Sequence, residues 1–102
     1  MREKKYSIYI LECNDGSYYT GMTSDLDRRM ISHHTCDELC SEHTRWRQPV
    51  RLVFSVNNIE TGKLARAGEK YIKSVVREKK QKIIGGDEKM LQLLYKRIYP
   101  SS

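Results

Sequence analysis

From Tyr6 to Leu11, and again from Tyr18 to Gly21, apolar, aromatic and β-branched residues crowd both flanks of Asn14-Asp15-Gly16. That composition favours two paired strands around a tight turn. A glycine closing a three-residue loop suits a type I turn whose last residue is left-handed. With Cys13 opposite Ser17, Leu11 falls opposite Tyr19 and Tyr9 opposite Gly21. Tyr9, Leu11, Tyr19 and Gly21 then share one face of the hairpin, because strand side chains alternate with period two. A two-residue Asp15-Gly16 loop would instead put the tyrosines on opposite faces.

After the hairpin the period becomes helical. Ser24 is expected to cap a helix, with Asp27 as a weaker capping-box partner. Leu26, Arg29, Met30 and His33 lie at i, i+3, i+4 and i+7 and form one face. Arg29 and His33 therefore lean towards the tyrosine-bearing sheet, whereas Arg28 points further out to water. Such polar groups beside an apolar stripe suit a site better than a core.

His34 to Gln48 is the least regular stretch and reads as a polar loop or short helix. Pro49 precedes a buried strand, Leu52 to Val56, and Asn57 to Thr61 are expected to form a loop. Thr61 should cap a long helix ending at Gly85-Gly86, with Leu64, Gly68, Tyr71, Ile72 and Val75 as its apolar stripe. Glu69 lies at the edge of that stripe, where an ordinary surface pair with Lys73 would also account for it. Asp87 should cap a last amphipathic helix, about 87–99, on Met90, Leu91, Leu94, Tyr95 and Ile98. The order strand, strand, helix, strand, helix, helix predicts an α+β domain: a small antiparallel sheet packed with helices.

Composition narrows the class. At 102 residues the chain is expected to form a single domain, residues 1–102. No apolar run approaches the ~20 residues needed to span a bilayer, and no signal-peptide pattern opens the sequence. Nineteen Lys and Arg against thirteen Asp and Glu give a net charge of +6, which favours polyanions such as nucleic acid. Three cysteines, an odd number without a secretory pattern, point to a reducing, cytoplasmic setting.

Ser7-Ile8-Tyr9 and Tyr19-Thr20-Gly21, followed by Asp25-Leu26-x-x-Arg29-x-x-x-His33, resemble the GIY-YIG nuclease superfamily. The resemblance is strongest to its small stand-alone branch, related to the nuclease domain of bacterial excision-repair endonucleases. It extends through Thr44-Arg45, Pro49 to Val53 and the Glu69 helix, covering roughly residues 6–80, and departs at Ser7, where the family name has glycine. It implies a three-stranded sheet and a metal-dependent endonuclease that hydrolyses DNA phosphodiester bonds, acting on branched or damaged DNA in repair or recombination. It further implies magnesium, or manganese, held by Glu69, with Tyr9 deprotonating or positioning the attacking water. His33 would take the phenol's proton, Tyr19 would bind phosphate or water, and Arg29 would offset charge.

Two other groups of residues invite chemistry. Arg45, Trp46, Arg47 and Arg51 bracket the start of the third strand and suit phosphate contacts with base stacking, or equally a solvated charge run with Trp46 packed inward. Cys36, Cys40 and His43, with His33 or His34, have the ligand types of a zinc site. Their spacing matches no tight motif, so free thiols and no structural zinc are expected. A catalytically silent nucleic-acid-binding module and a zinc-stabilised interaction domain are the competing classes. The sequence names no recruiting protein partner.

Overall fold

A computed structural model describes residues 4–35 and 41–99. Its elements are β1 (Tyr6–Glu12), β2 (Tyr18–Thr23), α1 (Leu26–Thr35), α2 (Glu42–Arg45), β3 (Arg51–Ile59), α3 (Gly62–Ser74), α4 (Arg77–Ile84) and α5 (Glu88–Ile98). The strands form one antiparallel sheet in the order β2-β1-β3. Being central, β1 is buried on both faces, which explains its unbroken apolar run. Ile8 and Ile10 face a core built with Ala65 and Ile72 of α3 and Leu94 and Ile98 of α5. Tyr9 and Leu11 face the other way, against Tyr19 of β2 and Leu26 and Met30 of α1. The architecture is the expected α+β, three-stranded one.

The hairpin register is the one a three-residue loop dictates. Leu11 pairs with Tyr19 and Tyr9 with Gly21, and the Cys13 amide donates to the Ser17 carbonyl at 2.9 Å. Gly16 takes the left-handed conformation at φ 83°.

Three expectations need correction. Asp25, not Ser24, caps α1: its carboxylate accepts from the Arg28 amide at 3.1 Å. With the helix starting at Leu26, Ser24 lies one residue too early to reach that amide, and a carboxylate also complements the helix dipole. Second, β3 continues through the expected loop to Ile59. A register shift between Tyr6 and Ile8, with Asn58 at φ 62°, absorbs the extra residues and keeps Ile59 in the core. Asparagine tolerates that conformation better than most residues.

Third, the long helix is two helices. Val75 and Val76 are extended, with ψ 154° and 162°. A straight helix would carry Ile83 about 16 Å beyond Ile72, at ~1.5 Å per residue, past so small a sheet. The break folds Ile83 back into the core and lays Arg77 over the Tyr18 ring, 4.5 Å from its centre. The expected caps of the neighbouring helices hold: Thr61 accepts from the Leu64 amide and Asp87 from the Met90 amide. Gly68 is where α3 meets the sheet most closely. A Cβ there would lie 2.6 Å from Ile98 Cγ2, with Ile8 Cδ1 equally near. This contact fixes the height of the next residue, Glu69. No helix among the described residues is long and apolar enough to cross a membrane.

Candidate active site

The hairpin and α1 together bury a tyrosine beneath a cleft. Tyr9 is 0% exposed as a residue, and its ring lies beside Gly21 because the register places them opposite each other. An added Cβ at Gly21 would stand 2.6 Å from Tyr9 Cζ and 3.1 Å from Tyr19 Cε2. Only glycine leaves room for both rings, whose centres are 6.2 Å apart. From α1, Arg29 Nε donates to Tyr9 Oη at 3.2 Å, and His33 Nε2 lies 2.9 Å from the same oxygen. The i, i+4 spacing of Arg29 and His33 aims both at one hydroxyl.

The network continues beneath the histidine. His33 is fully buried, and its Nδ1 lies 2.9 Å from Thr44 Oγ1 of α2. Thr44 Oγ1 also lies 2.9 Å from Ser41 Oγ and 3.3 Å from the Ser41 carbonyl. With its proton on Nδ1, directed at Thr44, the imidazole would present Nε2 as the acceptor for the Tyr9 hydroxyl. Gln48 anchors the same region, with its side-chain amide donating to the His33 and Thr44 carbonyls.

Electrostatics follow from burial. Desolvation pushes the Tyr9 phenol up to about 12, against the opposing pull of Arg29. The hydroxyl thus keeps its proton at neutral pH. Burial alone would weaken the charge on Arg29, but its contacts with the Tyr9 and Tyr19 oxygens outweigh that and hold its pKa above the usual value.

Above this floor opens a cleft of about 350 Å³, lined by Tyr9, Tyr19, Gly21, Met22, Thr23, Asp25, Arg28, Arg29, Ser32 and Glu69. Glu69 comes from the layer opposite α1 and reaches the cleft past β2, the edge strand. Its side chain is 15% exposed, with Lys73 Nζ at 3.5 Å. The structure therefore brings all five expected site residues, Tyr9, Tyr19, Arg29, His33 and Glu69, to one place.

A second set of bonds closes the side wall. Ser17 Oγ donates to Asp15 Oδ1 at 2.6 Å and accepts from His43 Nε2 at 3.0 Å, while Arg47 Nε donates to Asp15 Oδ2 at 2.9 Å. Ser17, first among its partners, holds the Asp15 carboxyl down at about 2. Burial, and then Arg47, lower the pKa of His43. Its ring packs on Tyr19 at 5.8 Å. Cys36 and Cys40, the other members of the candidate zinc set, lie outside the described residues.

The basic loop is divided. Arg47 pairs with Asp15 and Arg51 with Glu12, at 2.9 and 2.7 Å; the side chains of Arg45 and Trp46 are exposed, Trp46 to 80%. Trp46 has no place in the core. Sequence reasoning missed Thr44 as a site residue. Its hydroxyl meets His33 from eleven residues further along the chain, a contact that no local periodicity encodes.

The family model for the GIY-YIG catalytic domain matches residues 5–82. The chain is 43% identical over 77 residues to a UPF0213 protein of Haloquadratum walsbyi, covering 74% of this chain and 82% of that one. It is 33% identical over 81 residues to the UPF0213 protein YazA of Bacillus subtilis, covering 79% of each. The solution NMR structure of the UPF0213 protein BH0048 from Bacillus halodurans is similar at a TM-score of 0.53 and 36% identity, covering 81% of this chain and 85% of that one. With the match spanning the hairpin, α1 and α3 that build the cleft, the chain belongs to the GIY-YIG nuclease superfamily.

Proposed function

We propose that this protein is a magnesium-dependent DNA endonuclease that hydrolyses phosphodiester bonds in the cleft between α1 and α3. The observation that carries this reading is the convergence of Arg29 Nε and His33 Nε2 on the Tyr9 hydroxyl, in a cleft that Glu69 also lines. Glu69, in an open cleft that Asp25 also lines, fits magnesium or manganese, because such hard cations bind through one or two carboxylates and keep waters and phosphate oxygens. It does not fit zinc, since among the described residues no three His, Cys, Asp or Glu side chains gather. Bound by Glu69, the metal would polarise the scissile phosphate and stabilise the leaving oxygen.

The protein's own groups do the rest. Tyr9 Oη aligns the attacking water and passes its proton to His33 Nε2 as it takes the water's. The phenol starts protonated, so the transfers are coupled and no free phenolate is needed. Thr44 Oγ1 holds the imidazolium through Nδ1. Arg29 offsets charge on the phosphate, and Tyr19 hydrogen-bonds it. Outside the cleft, Arg45 contacts phosphates and Trp46 stacks on an exposed base, with Arg47 and Arg51 adding charge.

The test is incubation with labelled nicked, flapped, branched and linear DNAs, with and without magnesium. Wild-type protein should cut one strand only with the metal present. Glu69→Ala should abolish cleavage while leaving DNA affinity and folding nearly intact, and Tyr9→Phe should lose most activity. No cleavage with magnesium or manganese, or undiminished cleavage by Glu69→Ala, would leave a binding module in place of an enzyme.

A further inference from the structure

One face of α3 carries a row of cations that the site chemistry does not use. Lys63, Arg66, Lys70 and Lys73 recur at i, i+3, i+7 and i+10 and are all exposed. At 3.6 residues per turn they fall within an arc of about 80°. Glu69 lies between this arc and the buried side of the helix, formed by Ala65, Gly68 and Ile72. The row therefore stands on the cleft side of α3, just beyond the carboxylate, while Leu64 and Tyr71 occupy the other flank.

The arrangement works against the helix on its own. Like charges at i, i+3 and i, i+4 repel. The first turn of α3 holds Lys63 and no acid, opposite to what the dipole favours. Among the described residues, Lys73 alone of the four has an ion pair, and its partner is Glu69. By contrast, Arg47 and Arg51 are matched to carboxylates. A row with three of its four cations outside any ion pair among the described residues, next to a cleft, is complementary to a polyanion lying along it. Lys63 to Lys73 spans about 15 Å, the axial rise of roughly four base pairs at ~3.4 Å each.

We infer that the Lys63-Arg66-Lys70-Lys73 face of α3 is a docking ridge for the phosphate backbone of the DNA strand delivered to Glu69, an inference that rests on the nuclease reading. The experiment compares two double variants with the same change in charge. Lys63→Gln with Lys70→Gln removes the outer edge of the ridge. Lys89→Gln with Lys96→Gln removes two exposed lysines of α5. Affinity for a labelled nicked duplex is measured by anisotropy in EDTA, where no metal-dependent cleavage occurs, over a series of salt concentrations. Each lost phosphate contact should flatten the log–log salt dependence by ~0.9. The ridge pair should lose about one to two units of slope, and the α5 pair should match wild type. Equal losses in the two pairs, or an unchanged slope in the ridge pair, overturn the ridge. Cleavage with magnesium is scored separately. Slope loss confined to the ridge pair in a protein that cuts nothing keeps the ridge and removes the nuclease; cleavage with an insensitive ridge does the reverse.

Discussion

Replacing Gly21 by alanine tests the link between strand register and site geometry. The new Cβ would stand 2.6 Å from Tyr9 Cζ, where carbon atoms ordinarily rest ~3.5–4.0 Å apart. The Tyr9 ring must then retreat by about 1 Å, but it is fully buried and pinned between His33 at 2.9 Å and Arg29 at 3.2 Å. Overpacking of this kind costs ~1–3 kcal/mol. The alanine gives back ~0.4–1 kcal/mol by stiffening the unfolded chain. The net, about 1–2 kcal/mol, corresponds to a melting temperature roughly 5–15 °C lower for a domain of this size. Activity should suffer more, because displacing a positioned group by ~1 Å costs on the order of 10²-fold. Thermal melts by circular dichroism and single-turnover cleavage read the two effects separately. A variant that melts with the wild type and cleaves at its rate refutes the close packing of Tyr9 on Gly21.

Thr44→Val keeps the shape of the side chain but removes the acceptor for His33 Nδ1. Ring nitrogen shifts by NMR should show the Nδ1–H tautomer in wild type and in Thr44→Ser, and its loss in Thr44→Val; an Nε2–H imidazole in wild type contradicts the relay. Asp15 has its pKa lowered in the folded protein, from 3.8 to about 2, so its contribution to stability is present above pH 3.8 and fades as the pH falls towards 2. Asp15→Asn should therefore be less stable than wild type at pH 6, with the two converging near pH 2; a difference that persists in acid assigns the effect to something other than the carboxylate. A chelator should leave the thermal melt unchanged, whereas stoichiometric zinc together with chelator-induced unfolding would establish a metal site at Cys36, Cys40 and His43.

Much of the site was written locally. The Asn14-Asp15-Gly16 turn sets the register, and the register by itself puts Tyr9, Tyr19 and Gly21 on one face. The i, i+4 pair Arg29 and His33 follows from helical period. These features need only neighbours in sequence, so they can be read from a single chain. The position of Glu69 is different. Its helix packs on the opposite face, and only the close approach at Gly68 and the edge position of β2 bring the carboxylate to the cleft. Along the sequence it is indistinguishable from a surface partner of Lys73. The break at Val75-Val76 was likewise settled by packing, because no glycine or proline interrupts the chain between Gly68 and Gly85. Thr44 of α2 meets His33 of α1, and Asp15 of the hairpin turn meets Arg47, through contacts between segments distant in sequence. Turn chemistry and periodicity thus determined the hairpin, the caps at Thr61 and Asp87, and the tyrosine face. Packing across layers decided which polar groups meet there, because such contacts depend on distances that no local pattern records.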